Sequence, residues 1–270
     1  MQIKIDQSYK RLDKFLFQYF ESLPLSLLQR LIRKYKIKIN NKKSKANSSL
    51  IKGDVVYIYY KFEISNDLSN TIKISKNKKK IFEDQIIFQN NDFIAINKID
   101  GYSVQRGSKV LISLKDIYEN VIEHKLYIVH RLDKDTSGLM LFAKNRITAS
   151  KISSLFLNNK IKKYYIAVTN TEFNKNTDTL INYNLDKKEL KLAYKKIQLD
   201  NYDNCYLIKL FTGKKHQIRL QFYLNKNPII GDKKFSGNKF NKLLLCSYKI
   251  IFELDGKFYK FKINPNKILS

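Results

Sequence analysis

The alternation of apolar and polar residues predicts two short helices and a hairpin within positions 10–60. Apolar residues recur every three or four positions in residues 11–20, and again in residues 25–34. Residues 36–40 alternate as a strand does, and residues 55–59 form a second apolar run after a turn signal at Asn40-Asn41. The pattern therefore predicts a small α/β unit with its own core.

The next stretch, residues 61–84, is polar and contains a lysine run at residues 76–80. Polar, charge-rich segments between patterned regions are typical of linkers, and a short run of like charges is most often solvated. We therefore predict a linker over residues 63–84.

From residue 85 onward the pattern becomes rich in strands. Short apolar stretches at residues 85–89 and 93–97 predict a pair of strands, and residues 111–123 and 147–158 have helical spacing. Two apolar runs, residues 126–129 and 139–143, flank a polar loop that the rest of the chain is organised around. Residues 170–204 are rich in Asn, Asp and Lys and predict a hairpin insertion.

The composition favours a globular protein with an anionic partner. Hydrophobic residues make up 43% of the 270 positions, and the formal net charge is +28. Such a basic excess favours a polyanion, with nucleic acid as the first candidate. Lysine nevertheless outnumbers arginine by 45 to 7, a bias typical of an AT-rich genome, so part of the charge is ordinary surface. Where arginine is kept despite this bias, as at Arg131 and Arg219, the position is expected to need the two parallel hydrogen bonds that a guanidinium can donate and an ammonium cannot.

Two cysteines, Cys205 and Cys246, lie far apart without the spacing of a metal site. They indicate a reduced, cytoplasmic protein. The first residues lack the apolar core of a signal peptide, and the longest apolar runs are about six residues, too short to span a membrane. No membrane partner and no metal site are expected.

The polar loop itself has the sequence His130-Arg131-Leu132-Asp133-Lys134-Asp135-Thr136-Ser137-Gly138. This string resembles the signature His-Arg-Leu-Asp-x-x-Thr-Ser-Gly of the ribosomal-RNA pseudouridine synthases of the RluA/RluC/RluD type, and all seven specified positions match. The resemblance implies that Asp133 is the catalytic aspartate.

Further segments resemble the same family in the same order. They are Asn97-Lys98-Ile99-Asp100-Gly101, Lys163-Tyr164-Tyr165-Ile166-Ala167, Thr212-Gly213-Lys214-Lys215-His216-Gln217-Ile218-Arg219, Pro228-Ile229-Ile230-Gly231-Asp232 with Phe235-Ser236-Gly237, and Leu245-Cys246-Ser247. Ile99 replaces an expected proline, Lys214-Lys215 replaces Arg-Thr, and Arg106 departs from a Gly-Gly-Ser loop. The resemblance implies an α+β catalytic domain, residues 85–270, with a mixed, largely antiparallel sheet.

The N-terminal pattern, with Arg11-Leu12-Asp13 at its start and Lys52-Gly53-Asp54 near its end, resembles an S4-type RNA-binding domain over residues 1–62. That resemblance implies phosphate contacts from Arg30, Arg33, Lys34 and Lys36. The alternative is an ordinary α+β domain with a solvated basic face. The S4-like domain and the Gly-Ser loop resemble the C branch of the large-subunit enzymes most, although the D branch also carries an S4 domain.

The chemistry that the resemblance implies requires no cofactor. Asp133 would act at the ribose as nucleophile or base, and Arg219 would hold it ionised and oriented through a forked contact. Tyr165 would stack on the base or also help to remove the C5 proton, and Leu245 would form an apolar wall. Arg131 would fill the gap left by the flipped nucleotide or hold its phosphate, and Lys214 would contact a phosphate.

Each of these residues also has an ordinary structural interpretation. A lone loop aspartate is usually a turn residue, Tyr165 in a strand is usually core, and Asp135 is interpreted as loop structure. His130 and His216 are interpreted as structural hydrogen-bonding groups, since no spacing supports a metal pair.

We therefore expect a monomeric RNA pseudouridine synthase acting on large-subunit ribosomal RNA. The rival from another class is a non-catalytic RNA-binding assembly factor on the same fold, which would be expected to lose Asp133, Tyr165 or Arg219. A metal-dependent RNA hydrolase would need carboxylate clusters, and the sequence has none.

Overall fold

The structure, a computed structural model, describes residues 1–20, 23, 25–60, 74–106, 112–184, 186–199, 202–235 and 240–265. The chain forms two compact units, Met1–Asn70 and Thr71–Ser270. Some sequence predictions fall partly outside the described residues: positions 63–73 of the linker, 107–108 of the Gly-Ser loop, 111 of the helix at 111–123, 185, 200 and 201 of the hairpin region, and 236–237 of the segment after Asp232.

The N-terminal unit contains both predicted helices and the predicted hairpin. The helices are α1 (Leu12–Tyr19) and α2 (Leu25–Arg33). The strands are β1 (Gln2–Lys4), β2 (Ile37–Ile39), β3 (Lys42–Lys43) and β4 (Val55–Ile58), in the antiparallel order β1-β4-β2-β3. The apolar positions spaced three or four apart, such as Leu12 and Leu16, are buried in a core with Ile37 and Val56. Strand β1 was not predicted, because three residues are too few to show alternation.

Asp13 is the buried polar residue of this unit. Its carboxylate accepts two hydrogen bonds from Arg11, at 3.0 and 2.9 Å, and one from Gln29 of α2, at 2.8 Å. These bonds, led by those of Arg11, hold the pKa of Asp13 at about 2 although burial opposes them. The Arg11-Leu12-Asp13 motif therefore fixes the start of α1 to α2.

The predicted linker was too long at its C-terminal end. Residues Lys76–Glu83 form helix α3, which begins after Ser75 and buries Phe82. The Ser75 side chain accepts from the Lys78 backbone N–H, and capping by serine is typical of a helix start. The lysine run lies on this helix, and the burial of Phe82 stabilises it.

The second unit is built on one ten-stranded sheet. Its strands are β5 (Ile86–Gln89), β6 (Phe93–Lys98), β7 (Tyr127–Ile128), β8 (Ser137–Ala143), β9 (Lys162–Val168), β10 (Thr177–Tyr183), β11 (Glu189–Leu199), β12 (Tyr202–Leu210), β13 (Leu245–Leu254) and β14 (Lys257–Lys262). The order is β10-β11-β12-β9-β13-β8-β6-β5, with β14 paired to β13 and β7 to β8. Among the described strands, β8 with β13 is the only parallel pair. The predicted mixed, largely antiparallel sheet is confirmed, and β10 with β11 forms a hairpin within residues 170–204.

Helices cover both faces of this sheet. They are α4 (Leu114–Val121), α5 (Arg146–Leu157) and α6 (Gln217–Leu224). Neighbouring residues of β8 belong to different cores, Leu141 to one and Phe142 to the other. All seven residues of β8 are buried, which explains why its sequence is a continuous apolar run and does not alternate.

Strands β8 and β13 approach each other closely at Gly138. A Cβ atom at this position would lie 2.4 Å from the carbonyl oxygen of Ser247 and 2.9 Å from Cys246 Sγ, and φ is +102°. Only glycine fits such a conformation without strain. Gly138 therefore lets the strand after Asp133 lie against the strand that carries Leu245.

Candidate active site

Asp133 lies in the loop between β7 and β8, and that loop is anchored by a buried lysine. Lys98, 1% exposed, donates hydrogen bonds to the carbonyl oxygens of Lys134 and Thr136, both at 2.8 Å, and of Ile99 at 3.2 Å. Burial lowers the pKa of Lys98 to about 8. The three N–H groups of an ammonium match three carbonyl acceptors, so Lys98 fixes the loop backbone on both sides of Asp135.

The Asp133 carboxylate is 25% exposed and is held from one side by α6 and the residue before it. His216 Nδ1 lies 2.8 Å from Asp133 Oδ2, and Arg219 Nη1 lies 3.5 Å from the same oxygen. Within the described residues, Oδ1 forms no hydrogen bond. One oxygen is therefore fixed, and the other has no hydrogen bond to a described residue.

The forked contact of Arg219 is not with Asp133, as the sequence analysis predicted, but with Asp232. Arg219 Nε and Nη2 donate to the two Asp232 oxygens, both at 2.7 Å. Asp232 is buried and also accepts from the backbone N–H groups of Lys234 and Phe235. Burial would raise the pKa of Asp232, but the bonds from Arg219 outweigh it and hold that pKa below its usual value. Arg219 thus presents only its remaining nitrogen to Asp133.

Tyr165 and Leu245 form the apolar side of the cleft. They lie on the adjacent strands β9 and β13, where Tyr165 pairs with Ser247 and Leu245 with Ala167. Burial raises the pKa of Tyr165 far above its usual value. The phenol therefore stays protonated near neutral pH, which suits a stacking surface better than a base.

The cleft brings together six residues that the sequence analysis named. They are Asp133, Arg131, Tyr165, Lys214, Arg219 and Leu245, together with Leu132, Thr136, Leu210, His216, Gln217 and Ile218. The side chains of Arg131 and Lys214 are exposed at this cleft. The other predicted RNA contacts, Arg30, Arg33, Lys34 and Lys36, are exposed residues of the N-terminal unit.

Three comparisons with known proteins bear on this site. The RNA pseudouridylate synthase family matches residues 92–223 of the chain. The ribosomal large subunit pseudouridine synthase C of Rickettsia bellii is 31% identical over 251 residues, which cover 85% of this chain and 83% of that protein. The chain is an RNA pseudouridine synthase. An uncharacterized RNA pseudouridine synthase of Mycoplasma capricolum is 33% identical and covers 93% of this chain and 90% of its own length.

Solved structures agree with the fold of the synthase. Human RNA pseudouridylate synthase domain containing 1 superimposes with a TM-score of 0.58 at 18% identity, covering 67% of this chain and 82% of that one. Human RNA pseudouridylate synthase domain containing 4 gives 0.57 at 20% identity, covering 69% and 90%. The sheet and its helices therefore form a pseudouridine synthase fold.

The two histidines of the motifs have different surroundings in the synthase. His130 Nε2 accepts from the Leu141 backbone N–H at 2.9 Å, and its ring stacks on Phe156. Burial, aided by Lys163, lowers the pKa of His130 to about 3, so its ring is neutral and structural. His216, in contrast, contacts the cleft aspartate directly.

Lys98, His216 and Asp232 are site residues for which no site role was predicted. Lys98 and Asp232 both lie in segments that resemble the family, yet their partners are distant in sequence. The spacing of three between His216 and Arg219 was the available signal, because residues three apart lie on one side of a helix. No group of His, Cys, Asp and Glu in the described ranges could hold a metal ion. No helix there is long and apolar enough to span a membrane.

Proposed function

We propose that this synthase converts uridines of large-subunit ribosomal RNA to pseudouridine, with Asp133 as the catalytic carboxylate. The observation that carries the proposal is a cleft in which one carboxylate, fixed on one oxygen, lies together with the apolar side chains of Tyr165 and Leu245. The substrate class is supported by relatives that are named for the large ribosomal subunit and for synthase C.

The reaction is an isomerisation and balances without a co-reactant. The bond from ribose C1′ to uracil N1 breaks, the uracil turns, and a bond from C1′ to C5 forms. The proton on C5 leaves and N1 gains a proton. Asp133 acts at the ribose, either by attacking C1′ or by removing a ribose proton. The side chains of Tyr165 and Leu245 enclose the released uracil until it reattaches.

The target uridine has to leave its stack to reach a carboxylate in a cleft. Arg131, two residues before Asp133 and exposed, is placed to fill the gap that the nucleotide leaves or to hold its phosphate. Lys214 is placed on the same cleft to contact the RNA backbone. All these residues belong to one chain, which supports a monomer acting on ribosomal RNA in the cytoplasm.

The N-terminal unit is proposed to be an S4-like RNA-binding domain over residues 1–62. The catalytic domain, predicted over residues 85–270, is proposed to begin at α3, because Phe82 of that helix packs in its core. Its basic residues Arg30 and Arg33, together with Lys34 and Lys36, lie at the exposed end of α2 and after it. Exposed cations clustered at one end of a helix suit phosphate contacts.

Mapping pseudouridines in ribosomal RNA from cells with and without this gene tests the function. We expect particular large-subunit uridines to lose the modification when the gene is absent and to regain it when the gene returns. An unchanged map in large-subunit RNA would contradict the substrate. Cells that need the protein for ribosome assembly but show an unchanged pseudouridine map would favour the non-catalytic assembly factor.

The four basic residues near the end of α2 yield a separate prediction. Changing Arg30, Arg33, Lys34 and Lys36 to Gln should weaken RNA binding and reduce the slope of log affinity against log salt by roughly three, at ~0.7–0.9 per phosphate contact. A matched control changes four other exposed lysines of the same unit to Gln: Lys4, Lys10, Lys45 and Lys52. Equal slopes for the two variants would show that the α2 cluster is ordinary surface charge.

A further inference from the structure

His216 and Arg219 approach the same oxygen of Asp133, and their geometry assigns the hydrogen positions. An ionised carboxylate only accepts hydrogen bonds, so the hydrogen on His216 Nδ1 lies toward Asp133 Oδ2 at 2.8 Å. Arg219 Nη1 lies 3.3 Å from His216 Nδ1 and 3.5 Å from the same Asp133 oxygen, to which it is an ion-pair partner. The imidazole orients the carboxylate through Nδ1 and leaves Nε2 for other contacts.

The backbone of His216 is unusual in a way that serves this contact. Its φ of 54° and ψ of 24° lie in the left-handed region, directly before α6. Residues other than glycine hold this conformation where the surroundings impose it, and such residues cluster at functional sites. Here the next side chain, Gln217, accepts from the Lys214 backbone N–H at 3.0 Å and from Thr212 Oγ1 at 2.9 Å. Gln217 thereby fixes the turn that aims the His216 ring at Asp133.

We propose that His216 is a positioning residue, which selects the reactive orientation of Asp133 by donating from Nδ1 and does not itself transfer a proton. This inference rests on the proposed role of Asp133. It predicts that the donor at the Nδ1 position matters and that the rest of the ring does not.

Two substitutions separate the donor from the ring. Asparagine places an amide N–H near the position of Nδ1 and tolerates the left-handed region, whereas glycine tolerates that region without supplying a donor. We expect His216→Gly to slow single-turnover isomerisation by roughly 10- to 100-fold, as for a charged hydrogen bond. RNA affinity should change less than about twofold. His216→Asn should recover most of the lost rate.

Thermal melting of both variants checks that they are folded, and Asp133→Asn is measured beside them. Equal slowing of the Asn and Gly variants would overturn the inference, because the ring and not the Nδ1 donor would be required. A Gly variant with the wild-type rate would overturn it as well. If Asp133→Asn remained active, the proposed function itself would fail.

Lys163 is a second buried cation, and it differs from Lys98 in having no acceptor. The residue is 8% exposed, and burial lowers its pKa. Within the described residues its ammonium forms no hydrogen bond or ion pair, so an acceptor from a bound ligand would be its partner there.

The position of Lys163 indicates where that ligand binds. Lys163 pairs with Leu210, which lines the cleft, and precedes Tyr165 by two residues on β9. Its Nζ lies 3.5 Å from where a Cβ of Gly213 would be, next to Lys214 of the cleft. The ammonium therefore faces the loop that borders the active site.

We infer that Lys163 receives a phosphodiester oxygen of the RNA strand bound in the cleft. The inference rests on RNA binding by the synthase. The adjacent Lys162 is exposed and provides a matched control on the same strand.

Lys163→Met and Lys162→Met are compared in RNA binding over a range of salt and in thermal melting. We expect Lys163→Met to reduce the log affinity against log salt slope by ~0.7–0.9. Lys162→Met should leave the slope unchanged, and thermal melting shows that both variants are folded. A wild-type slope for Lys163→Met, or an equal fall in both variants, would overturn the inference. Salt-independent binding by the unmodified synthase would instead contradict the proposed function.

Discussion

Asp133→Asn is expected to lower the rate of isomerisation by roughly three orders of magnitude or more, equivalent to ~4 kcal/mol in the barrier. The amide keeps the shape of the side chain and can still meet His216 and Arg219, but it has no negative charge with which to act at the ribose. Fold and RNA affinity should remain close to wild type. Release of tritium from a transcript labelled at uridine C5 measures the rate directly.

The control is the neighbouring aspartate of the same loop. Asp135 is exposed and does not line the cleft, so Asp135→Asn should keep the rate within about threefold. Together the two variants separate a specific role from a general change in loop charge. Tritium release at the wild-type rate by Asp133→Asn would falsify the proposed mechanism.

Asp232→Asn should be the most destabilising of the charge-neutralising changes, by roughly 3–5 kcal/mol, the usual result of breaking a buried ion pair. The substitution leaves the buried Arg219 guanidinium without the carboxylate that accepts its two hydrogen bonds. Asp133, at 3.5 Å, is then the carboxylate that remains near it. Arg219 holds the pKa of Asp232 below its usual value of 3.8. The difference in free energy of unfolding between wild type and Asp232→Asn should therefore be complete above that pH and decline as the pH falls below it. Thermal melting at several pH values measures both effects.

An exposed ion pair supplies the comparison. Asp255 pairs with Lys151 at the surface, at 2.8 Å, and Asp255→Asn should change stability by less than about 1 kcal/mol. If Asp232→Asn were no more destabilising than Asp255→Asn, the paired hydrogen bonds between Arg219 and Asp232 would not stabilise the fold. The placement of Arg219 beside Asp133 would then need another explanation.

The elements that the sequence predicted well are those whose pattern is local. Helices α1, α2, α4 and α5 show their periodicity within a few turns, and the apolar run of β8 reflects burial on both faces. Helix α3 was missed because its first residues are lysines and its buried residue, Phe82, comes near its end. The cap at Ser75 was the signal that could have identified it.

The site residues likewise fall into those with a local sequence signal and those whose contacts depend on the fold. Asp133 was predicted because its motif is contiguous and specific. Arg219 does pair with Asp133, but its forked contact was assigned to the wrong carboxylate, because the choice between Asp133 and Asp232 depends on how the turn after α6 folds back. His216 lies 83 positions from Asp133, and Lys98 lies 36 from Lys134. Contacts between residues so far apart in sequence produce no periodic pattern, so they can be identified only from the structure.

The place of β13 in the sheet has a consequence for how the synthase is made. It lies between β9 and β8, yet twelve strands precede it along the chain. A growing polypeptide that has reached only α6 contains Asp133, Tyr165 and Arg219, but the strand that joins their two halves of the sheet does not yet exist. Pairings between distant segments form late, and until then the edges of β8 and β9 are open to wrong partners. We therefore expect nascent chains to remain inactive until Leu245 and the residues after it emerge, at which point the cleft closes in one step.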